Sequence, residues 1–307
     1  MHIKYFKTAF IGMVFLGAFS AVLTSCSSDD NESESTEQPT DGRKLRQLTI
    51  TDVPITRAML TDNTTSLGAT WSAGDKATYF NLTSYTSTVM HFGTLISSKA
   101  ATESTFTGTV QCTQRDKIAL FYPATDPFTS GSDRGTFAIN LSGQKGTLED
   151  VANNYHYIYG VGEITSVTDN TAKATIASMK SLLAVCKFTF KDKENTDVGI
   201  PVKELTIGYG NELYPLTGKV TPSDNASSVV ANPAASNTWT IPLTVTLVNE
   251  KEDGVYVALF PCGNASREDF QDFHFTVTGS TGTYTGTATA KLNAGKFYPV
   301  TLNLTKK

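Results

Sequence analysis

After residue 45 the sequence reads as strand, turn, strand, with apolar side chains alternating cleanly in several of the strands and almost no helical periodicity. A two-residue period points successive side chains to opposite faces of an extended chain, so each run buries one face and wets the other. In 183–190, Ala184, Cys186, Phe188 and Phe190 share a face, against Lys187 and Thr189. In 297–304, Tyr298, Val300, Leu302 and Leu304 share a face, against Pro299, Thr301 and Asn303. The pattern predicts strands over 48–55, 77–82, 105–110, 117–122, 136–141, 155–160, 183–190, 202–207, 238–244, 254–260, 273–277, 282–290 and 297–304. Turn clusters such as Ser72-Ala73-Gly74-Asp75, Ser130-Gly131-Ser132-Asp133 and Asn293-Ala294-Gly295-Lys296 separate them.

Many short strands with one polar face make an all-β protein of antiparallel sandwiches or barrels. A chain of 307 residues exceeds one ordinary domain and suits two. The Asn/Asp/Thr-rich run Thr168-Asp169-Asn170-Thr171 reads as a loop. It places the division so that 45–174 forms an N-terminal β-sandwich domain and 175–307 a C-terminal one.

The charge is unevenly placed. Lys4 and Lys7 give residues 1–26 a charge of +2, while 27–40 carry five acids and no base. With a total of −4, the remainder is left at −1. A near-neutral folded part offers no basic face for nucleic acid. The acidic run cannot bury enough apolar surface to order itself and reads as a disordered tether.

Lys4 and Lys7 precede an apolar stretch, 9–23, that is 15 residues long and ends in Leu23-Thr24-Ser25-Cys26. Spanning a bilayer takes about 20 apolar residues, so 1–25 read as a cleaved signal peptide. Small residues before a cysteine, followed by Ser27, Ser28, Asp29 and Asp30, resemble a bacterial lipobox. In such signals the cysteine is acylated, with palmitate-type chains, and becomes the first mature residue, here Cys26. One acyl chain binds membranes reversibly, and stable anchoring takes more than one. The acidic run after Cys26 resembles the surface-export signal of Bacteroidetes lipoproteins, which implies the outer face of the outer membrane. The polar tether spans 26–44.

Further motifs follow in order: Thr56-Arg57-Ala58 at the end of the first strand, then Trp71-Ser72-Ala73-Gly74-Asp75 and Ala119-Leu120-Phe121-Tyr122-Pro123. The chain closes with Leu292-Asn293-Ala294-Gly295-Lys296-Phe297-Tyr298-Pro299-Val300-Thr301-Leu302. Together with the lipobox and tether, this series resembles the fimbrillin family, Mfa-like and FimA-like, of Bacteroidetes type V pilus lipoproteins. The resemblance implies two tandem transthyretin-like β-sandwich domains and assembly by strand exchange, without catalysis or cofactor. An Arg-specific protease would cut between Arg57 and Ala58 and release strand 48–56. Another subunit's strand would then fill the groove. Leu48 and Ile50 are the pocket fillers of the displaced strand, and Tyr298, Val300, Leu302 and Leu304 those of the candidate donor strand. Arg43 and Arg46 are alternative cut sites. The parity of Val53 and Ile55 is opposite to that of Leu48 and Ile50, so a bulge or strand end is expected at Asp52. Implied partners are other pilin subunits, the outer membrane through the lipid anchor, the protease, and a host protein or glycan. Stalk, tip and anchor roles all stay open.

Other residues carry less chemistry. His91, His156 and His274 lack metal-ligand spacing, so no metal site is expected. Cys112, Cys186 and Cys262 read as small buried hydrophobes. Glu149-Asp150 and Glu250-Lys251-Glu252-Asp253 are charged loop clusters with no marked catalytic partner, and neither a nucleophile elbow nor a phosphate loop occurs. Tyr79 and Tyr85 are candidates for stacking on sugars or for ordinary cross-strand packing. The alternative to a pilus subunit is therefore a monomeric surface lipoprotein that binds glycan or host protein.

Overall fold

The computed structural model describes residues 42–54, 59–195, 199–209, 212–213, 216–233, 243–246, 254–261 and 271–307. Cys26, the tether through residue 40, the Arg57–Ala58 bond and Cys262 lie outside them. In chain order the strands are β1 (Lys44–Pro54), β2 (Met59–Asp62), β3 (Leu67–Thr70), β4 (Lys76–Asn81), β5 (Phe92–Ser97), β6 (Glu103–Cys112) and β7 (Lys117–Tyr122). There follow β8 (Phe137–Asn140), β9 (Ile158–Val167), β10 (Thr171–Ser181), β11 (Ala184–Asp192), β12 (Val202–Tyr209), β13 (Glu212–Leu213) and β14 (Thr217–Val220). The last are β15 (Ala231–Pro233), β16 (Leu243–Thr246), β17 (Val255–Leu259), β18 (Gln271–Gly279), β19 (Gly282–Ala290) and β20 (Phe297–Lys306). The protein is all-β, and among the described residues no helix is long and apolar enough to cross a membrane.

The first half closes on itself. Its strands run β1-β10-β9-β7-β4-β5-β6 around a barrel, so the expected N-terminal sandwich has no free edge. The second half is a sheet of order β13-β12-β18-β19-β20-β11-β17, with β16 paired to β12. A three-stranded sheet, β15-β14-β8, and the β2-β3 hairpin complete the fold.

Two cores result. The barrel interior holds Leu48, Ile50, Trp71, Tyr79, Phe106 and Leu120. The larger core holds Phe121, Phe137, Phe188, Phe260, Phe275 and Leu304. Strands β4 and β7 serve both, because Tyr79 and Leu120 point into the barrel while Phe80 and Phe121 point outward into the second core. That explains why Ala119-Leu120-Phe121-Tyr122 is a continuous apolar run: a strand covered on both faces has no polar side to show.

The division expected between 174 and 175 falls inside β10, which pairs with β9 along one side and β1 along the other. Thr168–Thr171 is the tight turn of the β9-β10 hairpin, with Thr168 N–H donating to Thr171 O at 2.8 Å. Turn chemistry looks alike in a hairpin and in a linker, which is why the run reads as a boundary. The chain leaves the barrel after Ser181 and enters β11 at Ala184, only Leu182 and Leu183 intervening. The halves also interleave, since β8 pairs antiparallel with β14. The strand expected over 155–160 begins later, at Ile158, because Val151–Tyr155 form a turn of π-helix.

Candidate functional site

Strand β1 closes the barrel. It runs antiparallel to β6, from Lys44 opposite Cys112 to Pro54 opposite Glu103, and parallel to β10, from Gln47 opposite Thr171 to Ile50 opposite Ala174. Leu48, Ile50 and Val53 are fully buried inside. Two residues of one parity followed by a third of the other parity require an extra residue in the strand, and the register with β6 shifts between Ile50 and Val53. Asp52 takes the strain there with a φ of +53°, at the position where the sequence parity changes.

Side chains fasten both ends of β1. Arg43 meets the buried Asp116 with two bonds, Nε to Oδ2 at 2.8 Å and Nη2 to Oδ1 at 2.6 Å. This is the planar two-point pairing that guanidinium favours. Asp116 is held in turn by Asn81 Nδ2 at 2.7 Å and the Thr113 N–H at 2.9 Å. Arg46, 7% exposed, donates to the carbonyls of Thr168, at 2.7 Å, and Cys112. Both arginines thus have occupied side chains in the folded protein. Beyond the bulge, the Trp71 indole N–H donates to Val53 O at 3.0 Å. Trp71 is fully buried, edge-on to Phe106 and Tyr122 with ring centres 4.8 and 5.4 Å away. The Trp71–Asp75 motif is a turn in which Ser72 N–H donates to Asp75 Oδ2 at 2.7 Å and Gly74 adopts a φ of +90°.

After β1 only residues 55–58 precede the β2-β3 hairpin. Asp62 ends β2 and reaches the second sheet, where Oδ2 accepts from Lys187 Nζ at 2.8 Å and from Tyr256 Oη at 2.6 Å. Lys187 and Tyr256 face each other across β11 and β17. Burial pushes the Asp62 carboxyl upward, but the bonds from Lys187 and Tyr256 outweigh it and hold the group below its ordinary range. Lys187 is raised, chiefly by its bond to Asp62. Lys187 is visible in the sequence as one of the polar residues of its strand, but its partner 125 residues away is not.

The outer edge of β17 is covered as well. The buried Gln144 amide accepts from Ala258 N–H at 2.7 Å and donates to Ala258 O at 3.0 Å, while Tyr256 N–H donates to Gly146 O at 2.9 Å. A side chain here imitates a neighbouring strand and blunts an edge open to pairing.

The C-terminal candidate strand, β20, runs parallel to β11 from Phe297 opposite Val185 to Leu304 opposite Asp192. Its ladder with β19 comprises Tyr284 opposite Lys306 and Thr285 opposite Thr305. Leu302 and Leu304 lie in the second core, and Tyr298 and Val300 pack half-buried against it. The structure therefore sets the two groups of candidate residues apart, Leu48 and Ile50 in the barrel and the β20 residues in the other core. Of the two tyrosines, Tyr79 is a core residue whose hydroxyl donates to Gln111 O at 2.9 Å, whereas Tyr85 is 39% exposed. Cys112 and Cys186 are buried. Among the described residues no three His, Cys, Asp or Glu side chains converge on a metal-sized site.

No protein-family model matches the chain, and no curated protein matches it. Among solved structures, a candidate cell-adhesion protein from Bacteroides uniformis superposes with a TM-score of 0.51 at 13% identity, covering 88% of this chain and 98% of that one. Two proteins therefore share this fold at an identity too low to show more than fold. Looser likenesses, too weak to carry an argument, are a candidate cell-adhesion protein from Bacteroides eggerthii and the tip fimbrial protein Mfa3 of Porphyromonas gingivalis. The former has a TM-score of 0.45 at 13% identity, covering 86% and 87% of the two chains. The latter has 0.39 at 10%, covering 80% and 81%.

Proposed function

We propose that this chain is a fimbrillin-like pilus subunit or accessory pilin of the cell surface, assembled by strand exchange after a single proteolytic cut. The observation that carries the reading is the placement of β1. It is a full barrel strand, paired with β6 from Lys44 to Pro54 and with β10 over Gln47–Ile50, and residues 55–58 alone join it to the next strand. A cut at Arg57–Ala58 severs that strand without touching any other element. Its departure would leave β6 and β10 with unpaired backbone groups above an empty apolar slot, a state that an extended strand from another subunit relieves. A strand of alternating apolar residues such as β20 has the form required. The sequence motifs and the fold shared with the Bacteroides uniformis protein support the same reading.

The occupied side chains of Arg43 and Arg46 favour Arg57 as the cut site. An Arg-specific protease needs the guanidinium in its own pocket, and these two would first have to leave Asp116 and the strand-end carbonyls. Acylation at Cys26, through which the precursor would reach the outer membrane, belongs to the same proposal.

Treating the purified chain with a trypsin-like protease and following mass and oligomer size tests the reading. Release of the first strand followed by heat-stable polymers is expected, and the Arg57→Ala variant should stay monomeric. A cleaved chain that keeps its strand and remains a monomer would refute strand exchange. Mass spectrometry of membrane-extracted protein should find acyl chains on Cys26, absent after Cys26→Ala.

A further inference from the structure

A cavity of about 290 Å³ opens where the end of β4, the 131–136 loop and the segment after β14 meet. Its size lies just below the roughly 300–1,000 Å³ range of small-ligand pockets, enough for one small ring system. Phe80 and Leu82 give it an apolar lining. Tyr85 also lines it and stays half-exposed although it is firmly held. Its hydroxyl donates to Arg134 O at 2.6 Å, and its ring centre lies 5.4 Å from that of Phe80. Gly135, at a φ of +79°, lies so close that a Cβ there would come within 2.6 Å of the Tyr85 ring. An exposed aromatic ring fixed in advance loses little conformational freedom when a ligand stacks on it.

The polar groups around this ring have a particular arrangement. The Arg134 guanidinium lies over one face of the Tyr85 ring, 5.6 Å from its centre, and donates through Nη1 to Thr86 O at 3.0 Å. Asp224 lines the same cavity from the segment after β14. Among the described residues no ion pair joins Asp224 to Arg134 or to Lys117, and Lys117 is paired with Glu163 at 2.7 Å. With Lys117 paired to Glu163, Arg134 and Asp224 thus border the cavity without neutralising each other. An anionic ligand would meet Asp224, a cationic one would meet Arg134, and a purely apolar one would bury both without partners. A sugar ring has an apolar C–H face and an edge of hydroxyls that donate and accept together, so it satisfies an aromatic floor, a guanidinium and a carboxylate at once.

We propose that this cavity binds a neutral pyranose unit of an oligosaccharide, its apolar face on the exposed part of the Tyr85 ring that Arg134 leaves uncovered and adjacent hydroxyls shared between Arg134 and Asp224. The site lies on the outside of the barrel wall and does not involve β1, so it stands or falls separately from strand exchange.

The test uses the full chain in detergent, with the methyl glycosides of glucose, galactose, mannose and N-acetylglucosamine as probes and glucuronic acid as the charged counterpart. Saturation-transfer NMR should show magnetisation reaching the ring C–H protons of at least one neutral glycoside, and titration should give its affinity. Tyr85→Ala and Asp224→Asn should each weaken binding about tenfold, while Tyr85→Phe keeps most of it. Asp224 is exposed, so its variant keeps the assay valid even if Tyr85→Ala unfolds. Failure of all four glycosides to bind, unchanged affinity in Asp224→Asn, or tighter binding of glucuronic acid overturns the proposal.

Discussion

Strands β1 and β20 enter their sheets in the same way and are held very differently. Each joins by a parallel ladder, β1 on β10 and β20 on β11, and those two partners are consecutive strands separated only by Leu182 and Leu183. Strand β1 also has a long antiparallel ladder with β6, whereas β20 meets β19 only at Lys306 and Thr305. Inside the barrel Leu48, Ile50 and Val53 are sealed from solvent, while Tyr298 and Val300 are half-buried. Arg43 and Trp71 add side-chain fastenings at the two ends of β1. One strand can therefore leave only by opening a barrel, and the other is free along most of one flank among the described residues. Under strand exchange this asymmetry suits the roles: a first strand secure until a bond is cut, and a last strand able to exchange partners at less cost.

The sharpest way to break that contrast is to truncate one inward residue from each strand. Ile50→Ala should cost about 4 kcal/mol and Val300→Ala about 1 kcal/mol, since the cost follows burial and the cavity left behind. Urea unfolding measures both, and equal losses would mean that the two strands are equally embedded. Next, Arg43→Ala should cost about 3 kcal/mol by leaving Asp116 buried without its cation. Arg43→Lys should recover part of this, because it restores charge without the two-point geometry. Trp71→Phe keeps the aromatic packing but removes the donor to Val53 O, for a loss of about 1 kcal/mol. Amide exchange should then quicken at residues 51–53 more than at 44–48.

The smallest effect concerns the hairpin after β1. Asp62→Asn should lower stability near neutral pH by about 1 kcal/mol, through weakened bonds to Lys187 and Tyr256. Because the folded carboxyl lies below its ordinary value of 3.8, its contribution is full above that value and is lost as pH falls through the folded one. Lys187 lies above its ordinary 10.5, so its share is full below that value and is lost as pH rises past the folded one. Melting curves of the two proteins should accordingly converge in acid, below about pH 4, and a gap independent of pH would remove the ion pair as its cause.

Much of this was legible in the residues. Alternation in 183–190 and 297–304 specified which side chains face inward, and the parity break at Asp52 marked the bulge, because side-chain period alone governs both. The 282–290 strand matches its observed bounds. The other strands have weaker local patterns. Strand β10 hid behind a hairpin turn that resembles a linker. The short strands β2, β3 and β5 lack clean alternation, and β14 and β15 are three or four residues long. Tyr79 and Tyr85, similar in sequence terms, separated into a core residue and a cavity wall only when the strands closed.

By itself the sequence determined the all-β class, the inward faces of the main strands, the apolar stretch ending at a cysteine, and the placing of acidity in the segment behind it. These depend on composition and on neighbours a few residues apart. Only the tertiary structure decided that the first half closes into a barrel, that β1 is the strand that closes it, and that β8 crosses to pair with β14. It also decided that Asp62 meets Lys187, and that Tyr85, Arg134 and Asp224 border one cavity. Those outcomes join groups up to more than a hundred residues apart, and such meetings are chosen by the packing of whole sheets around two cores.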